Sequence, residues 1–109
     1  MKGCIFCKIR DRQVPTEFTY EDDKVMVFPD IQPVKPVHLL IIPKKHIEDF
    51  LQLDDPALLD NIRTVIQKMV YKQKLENKGY KIVVNGGGGQ VVRHLHFHLI
   101  GPTGKQATL

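Results

Sequence analysis

Arg93-His94-Leu95-His96-Phe97-His98-Leu99-Ile100 is the stretch from which this chain is most directly read. Side chains on a strand alternate between two faces, so His94, His96 and His98 fall on one face and Leu95, Phe97 and Leu99 on the other. The apolar set calls for a packed layer beneath it, which leaves the imidazoles on the opposite, accessible face. Only five histidines occur in the 109 residues, and three of them at a period of two mark a functional row. Two chemistries use such a row. One is metal ligation, as where His-x-His supplies two of the bonds to a zinc ion. The other is nucleophilic catalysis, in which a neutral imidazole attacks while its neighbours fix its tautomer. Spacing alone does not separate them.

Working outward, Asn85-Gly86-Gly87-Gly88-Gly89-Gln90 leads directly into this strand. Backbone free of side chains lets N–H groups approach phosphate oxygens, which tilts the reading towards an anionic substrate. Tyr80 to Val84 and Val91 to Ile100 read as strands on either side of that loop. Before them, Asp54-Asp55-Pro56 supplies a capping carboxylate and a first-turn proline. Leu58, Leu59, Ile62, Val65, Ile66, Met69 and Val70 follow at helical spacing, and the helix is expected to stop near Asn77-Lys78-Gly79. Val37 to Pro43 is an apolar run fenced by prolines and suits a buried central strand. Glu17 to Tyr20 and Lys24 to Phe28 form a hairpin around Glu21-Asp22-Asp23. The order β-β-β-α-β-β predicts an α+β fold, a mainly antiparallel five-stranded sheet with one long helix packed on it.

Length and composition bound the rest. A chain of 109 residues accommodates a single domain, 1–109. With 42% hydrophobic and 26% charged residues it has the composition of a soluble globular protein. Sixteen Lys and Arg against twelve Asp and Glu give a net charge of +4, which favours anionic ligands. Lys68, Lys72, Lys74, Lys78 and Lys81 read as a solvated face. With no Trp and no interleaving of aromatics and arginines, a nucleic-acid partner is not expected. No apolar run is long enough to span a bilayer, and the opening residues do not form a secretory signal, so no membrane role is expected and the cytoplasm is the default location.

Both cysteines lie in Cys4-Ile5-Phe6-Cys7. In a reducing compartment a structural disulfide is disfavoured, and the spacing suits two bonds to one zinc ion. A redox pair is the rival, disfavoured because no strand precedes the motif and no helical pattern is read after it.

His94-Leu95-His96-Phe97-His98-Leu99-Ile100 resembles the signature of the histidine-triad (HIT) family of nucleotide hydrolases and transferases, in which three histidines alternate with apolar residues. The similarity extends over Cys4-Ile5-Phe6-Cys7-Lys8-Ile9, Tyr20-Glu21-Asp22-Asp23, Phe28-Pro29-Asp30-Ile31 and the run from Pro36 to Ile47. It looks most like the Hint-like branch, which hydrolyses purine nucleoside phosphoramidates. The resemblance implies that His96 is the nucleophile at the α-phosphorus and that His98 bonds the phosphate or the leaving group. It implies that the His94 carbonyl holds the tautomer of His96 and that His38 supports the row from a neighbouring strand. Asp30 matches the carboxylate that receives the ribose hydroxyls, Phe6, Phe28 and Ile31 match the base pocket, and Asn85 with Gly89 matches the phosphate loop. Many bacterial relatives add the His of Pro-Lys-x-His and the first triad histidine to the two cysteines, so the resemblance implies a structural Cys₂His₂ zinc site at Cys4, Cys7, His46 and His94. It further implies a homodimer with one continuous sheet, joined through the helix and the strand before it.

Four features depart from the family pattern. Val91 stands where many relatives carry Ser, Thr or Glu; the loop from Asn85 to His94 is about two residues shorter than in eukaryotic members; Pro29 replaces a frequent His; and the tail from Gly101 to Leu109 lacks Trp. The expected activity is cleavage of a purine nucleoside monophosphate phosphoramidate, such as AMP-lysine or adenosine phosphoramidate, through a nucleotidyl-histidine, with no metal required for catalysis. The alternatives are a non-catalytic nucleotide-binding or scaffold protein, a dinucleoside polyphosphate hydrolase, and a hydrolase that uses the triad as metal ligands.

Overall fold

The computed structural model describes residues 3–105. Five antiparallel strands form one sheet: β1 (Tyr20–Glu21), β2 (Val25–Pro29), β3 (Val37–Pro43), β4 (Lys81–Val84) and β5 (Phe97–Gly101), in the spatial order β1-β2-β3-β5-β4. Two helices complete it, α1 (Ile5–Arg10) and α2 (Pro56–Lys72), with a 3-10 turn at Phe50–Gln52. The expected α+β architecture is therefore present. Among the described residues, no helix is long and apolar enough to cross a membrane.

The two sheet faces are covered differently. Val25, Val27, Leu39, Ile41, Leu95, Phe97 and Leu99 pack with Leu58, Ile62, Val65, Ile66, Met69 and Val70 of α2. On the other face Met26, Phe28, Leu40 and Ile42 pack with Cys4, Phe6, Cys7 and Ile9. Helix α1 is the element that the sequence reading lacks, and it covers the histidine face. His94 and His96 are consequently buried and only His98 is partly open, so that face is not the accessible one expected. The residues after Cys4 do form a helix, with Cys4 as its N-cap, which removes one of the grounds for setting aside a redox pair.

The boundaries moved for physical reasons. The hairpin sits one to three residues later than expected because Asp22 Oδ1 accepts from the N–H groups of both Lys24 and Val25, closing an Asx turn after Glu21. Helix α2 starts at Pro56, with Asp55 accepting from Ala57 and Leu58 N–H, as the sequence indicates. It ends at Lys72, well before Gly79. Lys74 takes a φ of +57°, and the bonds Leu75 N–H to Val70 O (2.9 Å) and Lys74 N–H to Tyr71 O (3.0 Å) close a Schellman turn. Leu75 is buried in the α2 core, which rewards the early stop. Gly79 instead lets the chain pass close to Gly104, where a Cβ would lie in contact with its carbonyl oxygen.

Strand β5 begins at Phe97, not Val91. Its partner β3 ends at Pro43, and Leu95 N–H donates to Ile47 O instead of to a sheet neighbour. The strand before α2 is β3, which is paired on both sides; the open sheet edges are β1 and β4. Sheet continuation through β3, as expected from the sequence, is therefore ruled out.

Candidate active site and metal centre

His38 on β3 and His98 on β5 lie on neighbouring strands, with His38 opposite Ile100 and Leu40 opposite His98. His38 Nδ1 accepts from Val34 N–H at 3.2 Å, so the proton of the neutral ring sits on Nε2. That Nε2–H points at His98 Nδ1, 2.8 Å away, and lies 3.4 Å from Asp30 Oδ2. His98 must then carry its own proton on Nε2. Burial first, then the neighbouring His96 and His38, push the His98 pKa down to about 4, so the ring is neutral at physiological pH.

His96 is wired the other way. Its Nδ1–H donates to the backbone carbonyl of His94 at 2.8 Å, which leaves Nε2 as an unprotonated lone pair. The ring centroid stands 5.0 Å from that of His98 and 5.1 Å from that of Phe6, which meets it edge to face. A nitrogen lone pair on His96 beside a donor on His98 is the pairing that a nucleophile and its proton donor require.

His94 sits two residues earlier with its ring turned into a different cluster. Its Nε2–H donates to Pro43 O at 2.7 Å, so Nδ1 is the free nitrogen. That nitrogen lies 3.2 Å from His46 Nδ1, 3.4 Å from Cys4 Sγ and 3.6 Å from Cys7 Sγ, while Cys7 Sγ is 3.3 Å from His46 Nδ1. All four donor atoms lie within 4.8 Å of one another. A tetrahedral zinc with bonds of about 2.0–2.3 Å sets its ligands roughly 3.3–3.8 Å apart, so the cluster has the dimensions of such a site. The Pro43 carbonyl on the far nitrogen of His94 is the outer contact that commonly orients a metal-binding histidine. Burial first, then the neighbouring Cys4, push the Cys7 thiol pKa up, against an opposing pull from the Arg10 charge.

Of the remaining residues singled out in the sequence, Asp30 is brought to the His38–His98 pair, with its Oδ1 held by Gln32 N–H at 2.8 Å. Phe6 and Phe28 meet edge to face at 5.9 Å under the row. Ile31 is 94% exposed and Val91 97% exposed, so neither is built into the buried site. Asn85 and Gly89 lie in the exposed loop after β4. That loop does not present a row of free amides. Gly87 N–H goes to Asp49 Oδ1 (2.7 Å), Gly88 N–H to Gln90 Oε1 (3.1 Å) and Gly89 N–H to Gly86 O (3.0 Å). The sequence reading missed Asp49 and Gln90, whose side chains hold loop backbone groups, and Val34, whose N–H bonds His38; Gln90 and Val34 lie close in sequence to the glycine run and to His38, and nothing in the sequence pointed to Asp49.

Residues 3–108 match the family described as scavenger mRNA decapping enzyme C-terminal binding. An uncharacterized HIT-like protein of Methanocaldococcus jannaschii is 43% identical over 99 residues, covering 89% of this chain and 77% of the relative. A HIT family hydrolase from Clostridium thermocellum superposes with a TM-score of 0.90 at 37% identity over 99% of both chains. A histidine triad nucleotide-binding protein from Candida albicans superposes with a TM-score of 0.82 at 37% identity, over 89% of this chain and 73% of that one.

Proposed function

The chain belongs to the histidine-triad family, and from that premise we propose that it is a hydrolase of purine nucleoside monophosphate phosphoramidates acting through His96. The observation that carries this reading is the pair of opposite tautomers on adjacent rings, their centroids 5.0 Å apart: His96 offers a bare Nε2, and His98 offers an Nε2–H. In the first step His96 Nε2 attacks the α-phosphorus and the P–N bond to the amine breaks. The leaving nitrogen takes a proton from solvent water, while His98 Nε2–H keeps its proton and hydrogen-bonds that nitrogen or a phosphoryl oxygen. In the second step water attacks phosphorus and releases a proton to solvent, the bond to Nε2 breaks, and the nucleoside monophosphate leaves with His96 restored. The imidazolium that His96 becomes on attack keeps its Nδ1–H on the His94 carbonyl throughout, so the ring does not turn between steps.

Asp30 is assigned to the ribose hydroxyls, as an acceptor that is only partly buried, and Phe6 and Phe28 line the base side with Ile31 as an exposed flank. Asn85 and Gly89 bound the phosphate side. Zinc is the metal that the donor set of Cys4, Cys7, His46 and His94 fits. When bound, it supplies a fixed tetrahedral centre that tethers α1 and His46 to the residue whose carbonyl orients His96, with no part in bond breaking.

A homodimer joins the same proposal, through β4 and α2 in place of the strand before the helix. Ile82 of the edge strand and Tyr80 just before it are half-exposed next to Leu59 of α2, an apolar surface that a second copy covers. Sedimentation at micromolar concentration is expected to give the mass of two chains.

Turnover of a fluorogenic adenosine 5′-phosphoramidate by wild type and His96→Ala, with and without chelator, tests the activity. Turnover that survives chelation and is lost in His96→Ala is the expected result. Activity abolished by chelator in folded protein points to the metal-hydrolase alternative. AMP binding with no turnover points to the nucleotide-binding alternative, towards which exposed Val91 is the one feature that leans.

A further inference from the structure

The segment His46–Asp49 runs beside the residues that lead into the histidine row and is tied to them at each position. His46 Nδ1 is 3.2 Å from His94 Nδ1, Ile47 O accepts from Leu95 N–H at 2.6 Å, Glu48 O accepts from Gln90 Nε2 at 2.9 Å, and Asp49 Oδ1 accepts from Gly87 N–H at 2.7 Å. The inner ties are shared with the metal cluster and the core. The outermost depends on one side chain in a surface segment.

That side chain is itself held. Asp49 Oδ2 accepts from Leu51 N–H at 3.2 Å, and Gln52 Oε1 accepts from Asp49 N–H at 3.2 Å, a capping box on the 3-10 turn. The loop backbone lies directly against the carboxylate: a Cβ on Gly86 would stand 2.9 Å from Asp49 Oδ1 and would push the carboxylate aside. The Gly87 N–H, then the Leu51 N–H, hold the Asp49 carboxyl below its usual range, so it is an ionised acceptor at neutral pH. The charge is a disadvantage beside an incoming phosphate, and its use is therefore structural: it anchors the loop backbone at Gly87.

We propose that Asp49 is a positioning residue for the nucleotide phosphate, setting the glycine loop at a fixed distance from His96 by clamping Gly87. The inference rests on the nucleotide reading above. Gly87 has a φ of +65° and Gly88 a φ of +89°, a backbone that many conformations compete with once the clamp is gone. Loss of the clamp is thus expressed as a loop that must be ordered by the nucleotide, which weakens binding without touching the reacting atoms.

The test measures the AMP dissociation constant by calorimetry, kcat and KM for adenosine 5′-phosphoramidate, and thermal midpoint in wild type, Asp49→Ala, Asp49→Asn and Asp54→Ala, the last a control for surface charge in the same connection. Asp49→Ala is expected to weaken AMP binding and raise KM by about tenfold, the scale of one lost hydrogen bond to a charged group, with kcat changed by less than about threefold. Asp49→Asn keeps an acceptor for Gly87 and loses the charge, so it is expected to restore wild-type affinity; Asp54→Ala is expected to match wild type. An Asp49→Ala protein that binds AMP as wild type does overturns the proposal, and so does an Asp49→Asn protein as weak as Asp49→Ala. If the wild type neither binds AMP nor turns over the phosphoramidate, the functional reading fails and this inference fails with it. An active wild type with an indifferent Asp49→Ala sinks the inference alone.

Discussion

Around His94, two sulfurs and two nitrogens converge on a common centre with no proton-bearing ring nitrogen assigned among the groups facing it. Along Val34, His38 and His98, each group hands an N–H to the next ring, and the last N–H is left on a partly exposed side chain. Both sets of imidazoles lie on the same side of one sheet and meet at a single residue, His94, whose ring belongs to the first and whose carbonyl orients His96. The difference comes from what binds the second nitrogen of each ring. A carbonyl on Nε2 of His94 leaves a ligand nitrogen; a backbone N–H on Nδ1 of His38 starts a donor chain; a carbonyl on Nδ1 of His96 leaves a nucleophile. Three identical side chains, two from the row and one from β3, thus acquire separate chemistries from the backbone groups they meet.

The comparison breaks first at His96. His96→Ala is expected to lower turnover by roughly 10³-fold or more while leaving AMP affinity within about threefold, read by steady-state kinetics and calorimetry. Cys7→Ser strikes the other cluster. It is expected to release bound zinc and lower the melting temperature by roughly 10 °C or more, while turnover of the folded fraction falls less than about tenfold. Metal analysis with scanning calorimetry checks it, and equal damage to turnover from both variants would erase the distinction drawn between the clusters.

Asp30→Ala sharpens the row itself. The expected effect is a roughly tenfold higher KM for the ribonucleotide and a much smaller change for a substrate lacking both ribose hydroxyls, measured with matched phosphoramidates.

The weakest effect concerns pH. Because the folded His98 pKa is lowered to about 4, the unfolded chain binds the extra proton between that value and the ordinary imidazole range near 6.5. The His98 contribution is therefore intact above about pH 6.5 and is lost progressively as pH falls towards 4. Thermal midpoints against pH are expected to show this slope in wild type and a shallower one in His98→Gln.

The α+β class and the apolar underside of β5 were legible in the sequence because Leu95, Phe97 and Leu99 alternate and Leu58 to Val70 repeat at helical spacing. The four-residue metal cluster was legible only through the family resemblance, since nothing in the spacing joins Cys4 to His46 and His94. What was hidden follows from tertiary contacts. Helix α1 is six residues long, too short for periodicity to announce, and its buried Phe6, Cys7 and Ile9 acquire meaning only under the histidine face. Strand β5 was cut short because Pro43 gives its carbonyl to a histidine ring and Leu95 pairs with Ile47. Helix α2 ended at Lys72 because Lys74, a residue with no intrinsic preference for positive φ, turns the chain there and Leu75 is buried. The glycine run signalled an open phosphate cradle, whereas two of its amides are satisfied within the run and a third by Asp49.

The division of labour between the two clusters is tested most directly by acid-quenching the chelated protein during turnover of adenosine 5′-phosphoramidate and mapping the adduct by mass spectrometry. An adenylyl group on His96 in metal-free protein is the predicted result. Turnover that requires metal, with no adduct anywhere on the residue 94–98 segment, would contradict the account.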